Sequence, residues 1–369
     1  MRRPRAALSL AALVLAVPAA SAPPPARPHD VTTYPVVVSV PGMDDTRVVR
    51  GIRYAGEGDR TLTLDVTYPR GVAGARWPAV VFVNGSGGRL NDWEIYRSWA
   101  RLVAAHHLAA VTFEADRAKP AESVRALFAY LTAHAAELSL DGTRVAAWAC
   151  SGNVRAALPA VMDEATGLKA AAFLYGIGEA PALRKSLPVF WVLAGRDHQG
   201  LVEGQRALWA RAIKEDLPWT MVSAPTLPHA FDALVEEESS KRLVREIVEF
   251  LVSRLAPEVP APDPSPARKA LTFTFAHEYD KAAEAYRVIV AKEPSDRDAK
   301  RRLAVSEYNQ ACTLALAGRK SDALGWLRRS VDDGFGPRRQ IETDPDLASL
   351  RADPLFLEVL AKATDTADR

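Results

Sequence analysis

Apolar runs alternate with amphipathic stretches over the first two thirds of the chain. Residues 79–83, 109–113 and 189–194 are almost wholly apolar, which is typical of strands buried on both faces of a sheet. Apolar residues recur at helical spacing between them, as over 92–106 and 121–138. Strands that alternate with helices of this length predict right-handed crossovers and a mostly parallel sheet with helices on both faces, an α/β fold.

The same patterning predicts where this domain begins and ends. Residues 36–40 and 61–68 have the composition of strands, and the second alternates Leu and Thr as in an edge hairpin. Residues 219–223 are predicted as the last strand and 241–255 as the closing helix. We therefore expect one α/β domain over residues 35–255.

Residues 256–268 carry a proline at almost every second position, which blocks helix and inner strand and favours an extended linker. Beyond it the strand-like runs stop, and Ala, Leu and charged residues recur at helical spacing. A smaller all-α domain is predicted over 269–362, with a short tail over 363–369.

The spacing of Ala282, Tyr286 and Pro294 is that of the second helix and stop signal of a tetratricopeptide repeat. Ala323 and Leu327 repeat the alanine and large-residue pair. Residues 270–362 thus resemble tetratricopeptide-repeat proteins. The resemblance implies a concave helical face for a protein or peptide partner, or packing on the other domain or on a second copy.

The amino terminus has the pattern of an export signal. A basic start precedes an uncharged apolar run over 6–17 and a small-residue exit over 18–22. We predict a signal peptide over 1–22, cut after Ala19 or Ser21, and a disordered leader over 23–34. The alternative is an uncleaved anchor, but the apolar run is short for a bilayer span of about 20 residues. The protein is therefore expected to be periplasmic or secreted, with no stable membrane span after cleavage.

Composition excludes several classes of function. The net charge of the 369 residues is +2, which does not suggest nucleic acid as a partner. The sequence contains no zinc-type Cys/His cluster and no glycine-rich phosphate loop with its lysine, so no metal or cofactor is predicted. The two cysteines, Cys150 and Cys312, fall in different domains, and a structural disulfide is not expected.

One short segment carries the candidate nucleophile. An apolar run ends at Cys150, and Ser151 and Gly152 lead directly into an alanine-rich helical pattern. A strand, a tight turn with small neighbours and a helix are what a nucleophile elbow requires. Asn153 stands where a small residue, usually glycine, is expected. With Cys150 as the nucleophile instead, Trp148 would occupy the small position two residues before it, which is sterically worse.

A serine nucleophile needs a base and a group that orients the base. Asp197 follows the buried run at 189–194, and His229 follows the last predicted strand, where the acid and the base are expected. Asp116, at the end of an earlier strand, is the alternative acid. The chain order Ser151, Asp197, His229 is that of α/β-hydrolases.

The glycine-rich segment 84–88 follows the buried run at 79–83. Glycines let backbone N–H groups approach an oxyanion closely, so the N–H groups of Ser86 and Gly152 are the predicted oxyanion-hole donors. Trp93, Tyr96 and Trp99 could form the wall of an acyl pocket or belong to the core of an amphipathic helix.

Residues 35–255 resemble the dienelactone hydrolase-like branch of the α/β-hydrolases, on the motifs at 83–88, 148–153, 194–198 and 228–232. The resemblance implies a sheet of about eight strands, a serine or cysteine nucleophile, and ester or lactone substrates hydrolysed without a metal. Dienelactone hydrolases proper carry cysteine at the position of Ser151, so a serine esterase is the expectation here.

Two alternatives remain open from the sequence. The first is a catalytically inactive hydrolase-fold scaffold or binding protein that acts through its repeats; the complete Ser-Asp-His order and the oxyanion turn argue against it. The second is a peptidase or acyltransferase on the same fold. Substrate choice depends on loops, and nothing in a single sequence separates these activities.

Overall fold

The structure, a computed structural model, describes residues 30–56, 61–71, 75–257 and 263–363, which separate into two units between Glu258 and Val259. The predicted signal peptide over 1–22 lies outside the described residues, as do residues 23–29 of the predicted leader and 364–369 of the tail. The end of the leader differs from the prediction: Val31–Thr33 forms a 3₁₀ helix, because the Asp30 side chain accepts a hydrogen bond from the Thr32 N–H at 3.0 Å.

A sheet of nine strands crosses the described part of the first unit. Its strands are β1 (Arg47–Ala55), β2 (Leu62–Tyr68), β3 (Trp77–Phe82), β4 (Gly88–Arg89), β5 (Ala109–Ala115), β6 (Leu140–Cys150), β7 (Ala170–Leu174), β8 (Val189–Ala194) and β9 (Trp219–Ala224). Eight of them follow the order β1-β2-β5-β3-β6-β7-β8-β9, and the two-residue β4 pairs with β5. The pairings of β1 with β2 and of β2 with β5 are antiparallel, and every pairing from β5 to β9 along this order is parallel.

Helices cover both faces of this sheet. The helices of the first unit are α1 (Glu94–Ala105), α2 (Pro120–His134), α3 (Asn153–Val161), α4 (Gln199–Lys214), α5 (Phe231–Leu234) and α6 (Glu238–Leu255). One hydrophobic cluster joins α2, α3 and α4 to the sheet, and a second joins α1, α5 and α6 to its other face. The strands between these layers are apolar on both sides, since every residue of β7 and β8 is buried. The predicted α/β fold class is confirmed.

The predicted strand at 36–40 is wrong, because no neighbouring strand pairs with it in the described part of the chain. Val36 and Val38 are instead buried in the cluster formed with α1 and α6. The N–H of Val36 donates to the Ser98 hydroxyl at 2.7 Å, and the N–H of Val37 donates to the carbonyl of Asp232 at 2.8 Å. The segment is therefore a buried loop whose apolar residues imitate a strand.

The regular elements among the described residues of the second unit are all helices. Its helices are α7 (Pro266–Phe275), α8 (Tyr279–Lys292), α9 (Arg297–Leu316), α10 (Lys320–Asp332), α11 (Arg338–Thr343) and α12 (Pro354–Lys362), with a 3₁₀ helix over Pro345–Leu350. α7 packs on α8, α8 packs on α9, and α9 packs on α10. α7 begins inside the predicted linker, because the Ser265 hydroxyl accepts from the Arg268 N–H and proline is tolerated at the first helical position. Among the described residues, no helix combines the length and the apolar character that a membrane span requires.

Candidate active site

Ser151 occupies a sharp turn between β6 and α3, with φ of 53° in the left-handed region. Its N–H donates to the carbonyl of Leu174, at the end of the neighbouring strand β7, at 2.9 Å. A Cβ atom on Gly176 would lie 2.4 Å from the backbone oxygen of Ser151. The strained turn therefore depends on a small residue in the adjacent loop, and it lifts the serine side chain above the sheet edge.

A continuous chain of hydrogen bonds links Ser151, His229 and Asp197, the three residues predicted from the sequence as nucleophile, base and acid. Ser151 Oγ lies 2.8 Å from His229 Nε2, and His229 Nδ1 lies 2.6 Å from Asp197 Oδ2. The other oxygen of Asp197 accepts the N–H of His198 at 2.7 Å, which fixes the carboxylate on both sides. The Asp197 side chain is 5% exposed and that of His229 is 37% exposed, so the acid lies inside and the base faces the opening.

The acid and the base lie close together because the loops after β8 and β9 are tied to each other. The Gly195 N–H donates to the carbonyl of Ala224 at 2.8 Å, and the Arg196 N–H donates to the carbonyl of Leu227 at 3.0 Å. A Cβ on Gly195 would come within 2.5 Å of the Cα of Pro225, so the close approach of the two loops requires glycine there.

The two predicted oxyanion donors border the same cavity as Ser151 and His229. Within the described part of the chain, neither the Ser86 N–H nor the Gly152 N–H has a hydrogen-bond acceptor. Unpaired N–H groups beside a nucleophile can stabilise negative charge that develops on a substrate oxygen. The arrangement therefore leaves both groups available for an oxyanion.

Asn153, at the position where a small residue was expected, is buried at the first position of α3. Its Oδ1 accepts hydrogen bonds from the Gly85 N–H and from the Ser86 hydroxyl, each at 2.8 Å. Its Nδ2 donates to the Tyr96 hydroxyl at 2.8 Å. Asparagine is accommodated because its side chain lies under the 84–88 loop. Sequence reasoning treated this residue as a departure from the motif and assigned it no contact.

The two alternative residues have other contacts. Cys150 is buried with its sulfur 3.4 Å from the Tyr96 hydroxyl, and burial raises the pKa of its thiol to about 12. The nucleophilic thiolate is thereby disfavoured. Asp116 accepts the N–H of Ala118 at 2.8 Å, and its own N–H donates to the Ser123 hydroxyl at 3.0 Å. Asp116 thus stabilises the turn before α2, whereas Asp197 contacts His229.

Asp232 forms a second polar layer behind the histidine. It is fully buried and accepts hydrogen bonds from Trp99 Nε1 at 2.8 Å and from the Tyr175 hydroxyl at 2.7 Å. Burial raises the pKa of its carboxyl group, and the two hydrogen bonds oppose that rise. The ring of Tyr175 lies 4.6 Å from the ring of His229, so this layer supports the imidazole from one side.

The cavity at the serine has a volume of about 200 Å³ and a mainly apolar lining. Of the three aromatic residues considered for a pocket wall, Trp93 and Tyr96 line it, and Trp99 belongs to the core. Its other lining residues include Val31, Ile95, Ala230 and Ala233.

One group of possible metal ligands occurs among the described residues, in the helical unit. Atoms of Cys312, Asp344 and Asp346 lie within 4.8 Å of one another. Tyr308 already donates to Asp344 at 2.6 Å, and burial raises the pKa of Cys312 to about 12, which opposes the thiolate that a metal would bind. These contacts account for the cluster without an ion.

No family model matches the chain. A curated relative, a chloroplastic protein of Arabidopsis thaliana, is 28% identical over 93 residues, which make up 24% of this chain. The chain spans about a quarter (27%) of the length of that relative.

Solved structures with a similar backbone are α/β-hydrolases and esterases by name. An α/β-hydrolase enzyme, MGS-M1, from a Medee basin deep-sea metagenome library matches with 12% identity and a TM-score of 0.49, over 57% of this chain and 98% of that one. A bacterial heroin esterase matches with 14% identity and a TM-score of 0.48, over 60% and 88%. The esterase LipW from Mycobacterium marinum matches with 14% identity and a TM-score of 0.48, over 58% and 83%. At this level of likeness, neither substrates nor residue roles carry over to this chain.

Proposed function

We propose that the first unit is a serine hydrolase that cleaves carboxylic esters or lactones through an acyl-enzyme. The observation that carries the proposal is the chain of contacts from Ser151 Oγ through His229 to Asp197, at 2.8 and 2.6 Å, at the border of an apolar cavity. Serine requires a base within hydrogen-bond reach and a group that orients the base, and both distances meet that requirement.

In the proposed mechanism, Ser151 Oγ attacks the ester carbonyl carbon while His229 Nε2 takes the hydroxyl proton. Asp197 holds the imidazole with its Nδ1 proton toward the carboxylate and stabilises the imidazolium that forms. The carbonyl oxygen becomes an oxyanion, which the N–H groups of Ser86 and Gly152 stabilise.

Collapse of the tetrahedral intermediate breaks the bond to the leaving alcohol, which takes the proton from His229. Water then attacks the acyl group on Ser151, and His229 takes a proton from that water. The second intermediate releases the carboxylic acid and returns the proton to Ser151. Both half-reactions proceed without oxidation or reduction, so neither requires an electron donor or acceptor.

Purified protein should be assayed with p-nitrophenyl acetate and p-nitrophenyl butyrate. We expect Ser151→Ala to lose turnover by several orders of magnitude, while Cys150→Ala and the exposed control Ser253→Ala stay close to wild type. A fluorophosphonate should modify Ser151 in wild type, as read by mass spectrometry of the digested protein.

Each other outcome of this assay refutes part of the proposal. Loss of turnover only in Cys150→Ala would identify the thiol as the nucleophile. A wild type no faster than Ser151→Ala would favour the inactive scaffold that acts through its helical unit. A wild type that cleaves peptide amides as fast as esters, or that transfers the acyl group mainly to added alcohol, would make the enzyme a peptidase or an acyltransferase.

We further propose that the helical unit binds an acidic peptide, and a basic cavity of about 480 Å³ supports this. Arg297, Lys300 and Arg301 line the cavity beside Phe335 and Val305, together with one acidic residue, Asp333. Among the described residues, neither Arg297 nor Lys300 has a carboxylate partner. Two unpaired cations beside apolar side chains suit a ligand with both carboxylates and apolar groups.

A fluorescein-labelled peptide of alternating glutamate and phenylalanine is a direct probe. We expect its fluorescence anisotropy to rise with the full-length protein, and the affinity to fall with added salt and with Lys300→Glu. Lys320→Glu, which places the same charge change outside the cavity lining, is the matched control. Equal affinity for the two variants would refute the proposed peptide site.

We also propose export through the signal-like segment 1–22, on the pattern of its basic start, apolar run and small-residue exit. Expression in a bacterial host followed by fractionation and intact mass measurement tests this. Loss of 19 or 21 residues and recovery outside the cytoplasm are the expected results. Cytoplasmic protein of full mass would refute export.

A further inference from the structure

The 84–88 loop, which carries one proposed oxyanion donor, is held from below by a buried asparagine. Asn84 Oδ1 accepts the Gly87 N–H at 3.0 Å, and Asn84 Nδ2 donates to the carbonyls of Gly88 at 2.7 Å and Phe113 at 3.2 Å. Gly87 and Gly88 have φ of 78° and 79°, a conformation that favours glycine. These contacts set the shape of the loop and hold it to β5, but they do not set its distance from the nucleophile.

Asn153 supplies that second constraint. It follows Ser151 by two residues, and its Oδ1 binds both the Gly85 N–H and the Ser86 hydroxyl. A Cβ on Gly85 would lie 2.5 Å from the backbone oxygen of Asn153, so the loop rests directly on the start of α3. One amide group thus ties the loop to the same turn that carries the nucleophile and Gly152.

The chemistry of the amide suits this role. Its oxygen accepts hydrogen bonds from the Gly85 N–H and the Ser86 hydroxyl, so neither of these two donors is available to a substrate. The Ser86 N–H is left without an acceptor among the described residues. Its NH₂ group is satisfied by the Tyr96 hydroxyl, which fixes the orientation of the amide. The group is neutral, so it adds no negative charge beside a developing oxyanion.

We propose that Asn153 is a positioning residue that holds the Ser86 N–H at the place where the substrate oxyanion develops. This inference rests on the proposed serine hydrolase function. Glycine at this position would leave the Gly85 N–H and the Ser86 hydroxyl without their acceptor, and the loop would lose its fixed distance from Gly152.

The test compares Asn153→Gly and Asn153→Ala with the matched control Asn91→Ala. Asn91 is buried to the same extent, 4%, but its Nδ2 donates to Asp65 at 3.0 Å and it does not line the serine cavity. Full loss of one oxyanion donor lowers kcat by about 10²- to 10³-fold. A displaced donor should therefore lower kcat for p-nitrophenyl acetate by about 10- to 100-fold, with KM changed by less than about threefold.

A second readout separates positioning from general loss of structure. An aryl trifluoromethyl ketone forms an oxyanion on the serine, so its inhibition constant should rise in both Asn153 variants in parallel with the loss of kcat/KM. Asn91→Ala should keep kcat and the inhibition constant within about twofold of wild type, even if its thermal midpoint falls. Circular dichroism establishes that each variant is folded under assay conditions.

The outcomes distinguish this inference from the function on which it rests. A wild type no faster than Ser151→Ala would overturn both. An active wild type, with folded Asn153 variants that keep kcat and the inhibition constant, would overturn the positioning role alone. Loss confined to KM would also overturn it, because a displaced oxyanion donor acts on the transition state and not on substrate binding.

Discussion

We expect the protonation of Glu307, a buried carboxyl group on α9, to govern the stability of the helical unit. The side chain is fully buried, and one oxygen is paired with Arg287. The other oxygen has no hydrogen-bond partner among the described residues. Burial and the neighbouring carboxylate of Asp333 raise the pKa of Glu307 from 4.5 to about 7, and Arg287 only partly opposes them.

The sign and size of the effect follow from that pKa. The unfolded chain loses this proton near pH 4.5, and the folded unit keeps it to about pH 7. Between these values the folded state binds more protons, so the free energy of unfolding falls as the pH rises. This rise in pKa corresponds to about 3 kcal/mol of folding stability, which is present below about pH 4.5 and fully lost above about pH 7.

Glu307→Gln removes the titration and keeps an amide that can accept from Arg287 and donate toward Asp333. We expect the variant to abolish the pH dependence and to be more stable than wild type at pH 8, by up to about 3 kcal/mol. Hydrogen exchange of peptides from α9 and α10 in the full-length protein, corrected for intrinsic exchange, measures the local unfolding free energy between pH 5 and 8.

Glu284→Gln is the matched control, because Glu284 is an exposed partner of the same Arg287, at 2.9 Å. It should change the unfolding free energy by less than about 1 kcal/mol and keep the pH dependence. Equal loss of stability in wild type and in Glu307→Gln between pH 5 and 8 would mean that a group other than Glu307 titrates, which would refute this prediction.

Three further predictions concern the first unit and its cavity. Gly176→Ala should lower the free energy of unfolding by about 1–3 kcal/mol and slow ester turnover, because the new Cβ would meet the Ser151 backbone. The control is Gly325→Ala, where an added Cβ has no atom within 4 Å; it should be neutral or stabilising in urea unfolding and show no loss of turnover. Trp99→Phe should cost about 1.5–3 kcal/mol in urea unfolding, because it removes a donor to the buried Asp232 carboxylate; equal stability would contradict this account. The cavity of about 200 Å³ is smaller than the roughly 300–1,000 Å³ typical of pockets for larger ligands, so kcat/KM for p-nitrophenyl laurate should fall at least about tenfold below that for butyrate; equal values would mean that the acyl chain lies elsewhere.

The sequence predicted elements best where burial is complete. The apolar runs at 79–83 and 189–194 correspond to β3 and β8, because strands buried on both faces contain few polar residues. β1 was missed because this edge strand contains Arg47, Arg50, Arg53 and a glycine, which interrupt the alternation of apolar and polar residues expected of a strand. The run at 36–40 was misread for the opposite reason, since a buried loop is apolar without being a strand.

The three residues of the candidate site could be predicted from their order along the chain, but the residues that hold them in place could not. Ser151, Asp197 and His229 each follow a strand, and the carboxyl ends of parallel strands meet at one edge of a sheet. The contacts of Asn153 join residues 68 and 57 positions apart, and no local pattern encodes such partners. Asp232 appeared in the sequence only as part of a motif, and its contacts with Trp99 in α1 and with Tyr175, the residue after β7, form only in the folded domain.

The two cysteines have a practical consequence for following the unfolding of this protein. Cys150 lies in the first unit and Cys312 in the helical unit, and both are free and buried. Burial raises both thiol pKa values to about 12, so a thiol reagent at neutral pH should react much faster once the surrounding unit has opened. The native chain therefore contains one intrinsic reporter of opening for each unit, and the mass of the labelled peptides reveals which unit opens first, without any engineered probe.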